Sequence, residues 1–129
     1  MNFKKFINNE KENKGILIDI EKDTIENNNF RKVIWTGKEL QLVLMSLKAN
    51  EEIGIEKHNN DQFFRIDKGF GFFILEDKKY LIKDGSAFTV LSGTKHNIIA
   101  GKEGLKLYTI YAPPHHKNKK IEKEKPNEI

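Results

Sequence analysis

The sequence has no cysteine. This excludes disulfide scaffolds, thiolate zinc sites and cysteine nucleophiles, and leaves histidine, carboxylate and amide donors for any metal ion. Long apolar runs are also missing: no stretch approaches the ~18 residues of a membrane span, and the opening MNFKKFINNEKENKG carries two lysines with no apolar core behind them, unlike a secretory signal. A cytoplasmic protein with no membrane partner is the expectation. Clustered charge of one sign is lacking too. The net charge is +4, but half of it lies beyond Pro114, where five lysines face three glutamates, so the body is nearly neutral. Nucleic-acid binding needs clustered Lys and Arg and is set aside. At 129 residues, the chain has the size of one domain, and its 9 phenylalanines are too many for a disordered polymer.

What remains divides into three parts: an Asn-rich, charged arm over 1–29, a β-rich body over 30–114 and a charged tail over 115–129. In the arm, GILIDI is the one apolar island, and Asp23 or Thr24 offers an N-cap for a short helix. From Phe30, nine short apolar runs follow one another: FRKVIW, ELQLVLMSL, IGIEKH, QFFRID, FGFFILE, KYLIKD, AFTVL, HNIIA and LKLYTIYA. Their turn-like connectors at roughly 8 to 12 residue intervals predict an all-β sandwich or barrel. GFGFF at 69–73 reads as a sharp hairpin bend rather than a dinucleotide fingerprint. Pro113 and Pro114 end the last strand, and the tail beyond has no period and little to bury, which predicts mobility.

Chemistry depends on the few groups a β fold can converge. Residues i and i+2 of a strand share a face, so Gly54, Glu56 and His58 form one row of IGIEKH and Ile53, Ile55 and Lys57 the other. A carboxylate and an imidazole then stand side by side, either in a site or on a wet face. The spacing that follows favours the site. Glu56, His58, Gln62 and Gly69 are separated by one, three and six residues, and fifteen residues later Gly85, Leu91, Gly93 and His96 follow at intervals of five, one and two.

Over about residues 30–112 this pattern resembles the cupin superfamily. The first cupin motif is a His, one residue, a His, three or four residues, a Glu, six residues and a Gly. The second is a Gly, five residues, a Pro, one residue, a Gly, two residues and a His. The intervals match, with Glu56, Gln62 and Leu91 standing where the family has His, Glu and Pro. The resemblance implies a double-stranded β-helix, or jelly-roll barrel, with a short N-terminal helix or irregular arm. It also implies one divalent metal ion, Mn, Fe, Ni, Co or Zn, held by Glu56, His58, Gln62 and His96, and a homodimer. The surrounding text, including DQFFRID and GTKHN, is similar to small single-domain cupins often labelled mannose-6-phosphate-isomerase-like.

On this basis the expected function is that of a metal-binding cupin, isomerase-like toward a small polar ligand such as a sugar or sugar phosphate. The alternatives are a non-catalytic cupin and a non-haem iron dioxygenase, since two His and a carboxylate with open positions also suit iron(II). Gly93 permits a φ > 0 turn that places His96 at a strand start. Gln41, Met45 and Phe64 are possible pocket residues. The run ELQLVLMSL, apolar on both faces, reads first as a buried central strand. Arg65 pairs with Asp67 or a partner surface in this reading rather than with substrate, and His115 and His116 are solvated at the edge of the tail rather than adventitious metal ligands. No catalytic residue and no organic cofactor site is identified.

Overall fold

A computed structural model describes residues 14–127 and the backbone of Lys5–Phe6. In chain order the elements are β1 (Lys5–Phe6), β2 (Ile16–Leu17), α1 (Ile20–Glu26), β3 (Arg31–Thr36), β4 (Gln41–Leu47), β5 (Asp61–Leu75), β6 (Lys78–Lys83), β7 (Ala87–Val90), β8 (His96–Ala112) and β9 (Ile121–Glu122). Among the described residues the fold is all-β with one short helix. β1 and β2 form a separate two-stranded sheet, and the main sheet runs β6-β5-β8-β4-β3-β9 with β7 also on β5. All pairings are antiparallel.

Several of the nine expected strands are continuous pieces. QFFRID and FGFFILE join in β5, and HNIIA and LKLYTIYA join in β8. GFGFF is therefore not a hairpin bend; it lies inside β5, where the register against β8 shifts between Ile66 and Lys68 and again between Gly69 and Gly71. Glycine permits this. Gly69 has φ of 104° and Gly104 has φ of 76°, and a Cβ on Gly71 would come within 2.2 Å of the Ile99 carbonyl oxygen. The bulges let each long strand bend and serve both walls of the barrel without losing its ladder.

Conversely, IGIEKH forms no regular strand: it makes one isolated bridge, Glu56 to His96, and a second, Glu52 to Ile99, lies just before it. Gly54, with φ of 105°, interrupts the alternation. Ile53 therefore turns into the core while Ile55 is 78% exposed. The helix begins earlier than Asp23 or Thr24: its N-cap is Asp19, Asp23 lies in the first turn, and Thr24 is buried. Thr24 lies within the helix, past the capping position, and is buried as the helix packs on β4, β5 and β8.

The core fills the barrel from the inward positions of each strand. Val43, Met45 and Leu47 come from β4, Phe64 and Ile66 from β5, and Ile98, Leu105, Leu107 and Tyr111 from β8. β4 lies between β3 and β8, the buried central strand its two apolar faces allow. The tail expected to be mobile instead returns to the sheet: Ile121 and Glu122 pair with Lys32 and Arg31, and Phe30 N and Val33 N donate to Lys123 O and Lys120 O. Composition does not reveal this. The free backbone edge of β3 captures the segment, a contact that needs no apolar side chains.

Candidate metal centre

Side chains of polar type occupy one end of the barrel interior. On the inner face, Gln41 of β4, Tyr111 of β8 and Gln62 of β5 stand in one cross-strand row. Above them the irregular segment before β5 delivers Glu56 and His58. Its placement is set by backbone bonds: Glu56 N and O exchange hydrogen bonds with His96 O and N at 2.8 and 2.9 Å. Gly93, with φ of 82°, makes the turn into β8 and donates its N–H to His58 O at 2.7 Å. His96 accordingly opens β8, as the motif spacing predicts.

Glu56, His58 and His96 can each offer a ligand atom such that all three lie within 4.8 Å of one another. His58 Nε2 is 3.3 Å from Glu56 Oε1, and the two imidazole rings lie 5.4 Å apart. His96 Nδ1 lies 2.9 Å from Thr94 O. A carbonyl only accepts, so Nδ1 carries the proton and Nε2 is a lone pair, buried and without a partner. Gln62 behaves alike. Thr109 Oγ1 donates to Phe63 O, so it accepts from Gln62 Nε2 at 3.0 Å; Gln62 Oε1 is then an unpartnered buried acceptor. Two buried lone pairs with their opposite ends anchored by hydrogen bonds are what a cation site needs.

The charges agree. Burial alone would raise the Glu56 carboxyl, but the His58 hydrogen bond and the electrostatic influence of His58, Arg31 and His96 hold it below its usual value. Burial lowers His96, outweighing its bond to Thr94, and so keeps the imidazole neutral.

Met45 and Phe64 are core residues, each 1% exposed. Phe64 also stands edge-on to His96, with ring centroids 6.1 Å apart. Gln41 is fully buried and clamps the chain after β8: its Oε1 accepts from His115 N and His116 N, and its Nε2 donates to Thr36 Oγ1 and His116 O. Arg65 pairs with Asp67 at 3.0 Å, as expected.

The histidines after Pro114 are not merely surface groups. His115 lies 4.3 Å from the His58 ring and stacks on Tyr111. His116 Nε2 lies 3.2 Å from the Tyr111 hydroxyl. All four histidines of the chain therefore meet at one end of the barrel. Sequence reasoning missed this pair, together with Arg31 and Tyr111. The available signal was Arg31 itself, one of two arginines among 23 basic residues.

Burial, helped by the charges of Arg31, His115, Lys120 and His58, pushes His116 down from 6.5 to about 3. A released segment would take up a proton first. The closed arrangement is thus fully favoured above pH 6.5 and weakens as pH falls toward 3. Exchange at the Phe30 and Val33 amides, corrected for intrinsic rate, is expected to accelerate as pH drops from about 6 to about 4. Unchanged protection across that range would contradict it.

The comparisons with known proteins agree with this geometry. The family model of the cupin domain matches residues 43–111. The chain is 46% identical over 111 residues to the uncharacterized protein YrkC of Bacillus subtilis, covering 80% of this chain and 60% of that protein. It is 37% identical over 121 residues to the uncharacterized protein L612 of Acanthamoeba polyphaga mimivirus, covering 89% and 76%. The crystal structure of BH2720 from Bacillus halodurans superimposes with a TM-score of 0.80 at 36% identity, covering 82% of this chain and 86% of that one. Among the described residues, no helix is long and apolar enough to cross a membrane. With the motif intervals, the antiparallel barrel and the interior Glu56, His58 and His96 all in place, the chain belongs to the cupin family.

Proposed function

We propose that this cupin binds one divalent metal ion through Glu56, His58, Gln62 and His96 and uses that centre to hold a small polar ligand. The observation that carries the reading is the pair of buried, unpartnered acceptors, His96 Nε2 and Gln62 Oε1, at the barrel end that also holds the Glu56–His58 pair. A divalent ion with vacant positions polarises a carbonyl or enediolate oxygen and lowers the pKa of a bound water. The chain's own residues orient the donors. Thr94 and Thr109 fix the far ends of His96 and Gln62, while Phe64 walls the His96 ring. This donor set suits isomerase-like chemistry on a sugar, sugar phosphate or keto acid.

The segment after Pro114 favours a second reading, a non-catalytic cupin whose ion is shielded. His115 sits against His58, and Lys125 and Pro126 close a small cavity beside Glu56. Water-proton relaxation of the Mn(II)-loaded protein separates the two, because an enzyme site keeps exchangeable water on the ion and a structural site does not.

Elemental analysis after incubation with Mn, Fe, Ni and Zn is expected to show one equivalent of ion per chain. Gln62→Glu adds a negative charge and is expected to raise affinity roughly tenfold or more. Absence of a stoichiometric ion would overturn the metal assignment. Unchanged affinity in Gln62→Glu would remove Gln62 from the ligand set.

A further inference from the structure

We infer that Arg31 is the receptor for the carboxylate of a small anionic ligand, and that Glu122 occupies that place while the C-terminal segment is closed. This deepens the reading above and rests on it for the location of the ligand. Arg31 opens β3 on the inner face of the barrel, and its side chain is 8% exposed. A guanidinium keeps its charge under such burial, and its planar fork matches a carboxylate with two parallel bonds. Here Nη1 pairs with the Glu122 carboxylate, which arrives from 91 residues along the chain, while Nε is buried with no partner. The recognition group is therefore only partly used.

Beside it lies a cavity of about 140 Å³ lined by Phe30, Arg31, Ile53, Glu56, Lys125 and Pro126. One wall is a metal-ligand candidate, the opposite charge is Arg31, and the roof is the C-terminal segment. The space holds roughly four or five waters, the scale of a small carboxylate that reaches from Arg31 toward the centre. A carboxylate is also the group the site already accepts.

Fastening the segment does not by itself call for a buried ion pair, because backbone bonds from Phe30 and Val33 already hold it. Glu122 also has a second cation, Lys120, at 3.7 Å. A buried pair adds little net stability against its desolvation cost. As an internal competitor, by contrast, Glu122 reduces apparent ligand affinity to the fraction of time its carboxylate leaves Arg31 free.

The test uses the full chain, both metal-free and loaded with Mn(II), titrated calorimetrically with sodium pyruvate. Glu122→Gln is expected to bind about tenfold more tightly than the unaltered chain, the gain for a carboxylate that occupies Arg31 about nine-tenths of the time, because a neutral amide competes far less for the guanidinium even with the segment in place. Arg31→Lys is expected to bind more weakly than the unaltered chain. Equal affinity of Glu122→Gln and the unaltered chain would overturn the inference. So would inorganic phosphate binding Glu122→Gln more tightly than pyruvate does. The gain should persist without metal, since it comes from Arg31. A chain that takes up no ion would therefore defeat the metal reading while the gain is still measured, and a loaded chain without the gain would defeat this inference alone. Because Glu122→Gln retains Arg31, the outcome does not depend on a variant that strips the barrel of its buried cation.

Discussion

Replacing His96 by alanine is expected to abolish stoichiometric metal uptake while the barrel stays folded. Of the proposed donors, His96 is the one whose orientation is most completely set: its place at the start of β8 is fixed by the Gly93 turn and the Glu56 bridge, and Nδ1 is held by Thr94. Only Nε2 is left, aimed into a region where it has no protein partner. Loss of a group that merely supports a ligand costs about 10 to 100-fold in metal affinity. Loss of the ligand itself should reach at least the upper end of that range. His58→Ala should do the same and also strip Glu56 of its hydrogen-bond partner. Equilibrium dialysis followed by elemental analysis measures the effect, with circular dichroism reporting the fold. Retention of a full equivalent of ion by His96→Ala would refute the assignment. The pH profile gives a second reading of the same site. Burial holds His96 below 6.5, so its neutral form persists beneath the usual imidazole range, and its protonation opposes uptake only below pH 6.5.

Phe64→Ala should be among the most damaging single changes to stability, at about 3 to 5 kcal/mol. Phe64 is 1% exposed. Its ring stacks on Phe88 at 5.0 Å, and Phe88 in turn stacks on Phe73 at 4.1 Å. The alanine variant would therefore open a cavity at one end of an aromatic column that joins β5 to β7. Phe64→Leu, which keeps most of the volume, should cost much less. Urea unfolding monitored by circular dichroism gives the difference directly. A loss below about 1 kcal/mol would mean that this column does not bear on the core as the packing indicates. The same ring stands edge-on to His96, so metal affinity should fall as well, through loss of ring orientation rather than loss of a donor.

The parts of the molecule legible in advance were those governed by short-range rules. The interval of one residue between Glu56 and His58 places both on one side of an extended segment, and Gly93 turns the chain three residues before His96. Apolar runs with turn-like connectors announced an antiparallel β fold. The same local reasoning misplaced elements wherever glycine had two uses. Gly69 and Gly71 look like hairpin residues, but in the barrel they are bulge and close-contact positions inside β5, because β8 supplies a partner backbone at Ile99 and Gly104. Gly54 broke an alternation that was read as continuous. Asp19 capped the helix in place of Asp23 or Thr24, because packing against the sheet decided which turn was buried.

The sequence by itself determined an all-β cupin chain and the intervals that bring Glu56, His58 and His96 together, since strand alternation and turn chemistry act over a few residues. Tertiary structure alone decided that the lysine-rich end folds back as β9, that His115 meets His58, and that Glu122 reaches Arg31. Those contacts join residues separated by 57 to 91 positions. They exist because barrel closure leaves the edge of β3 and the mouth of the interior where the returning chain can bond to both, and no local pattern in a charged tail encodes that meeting.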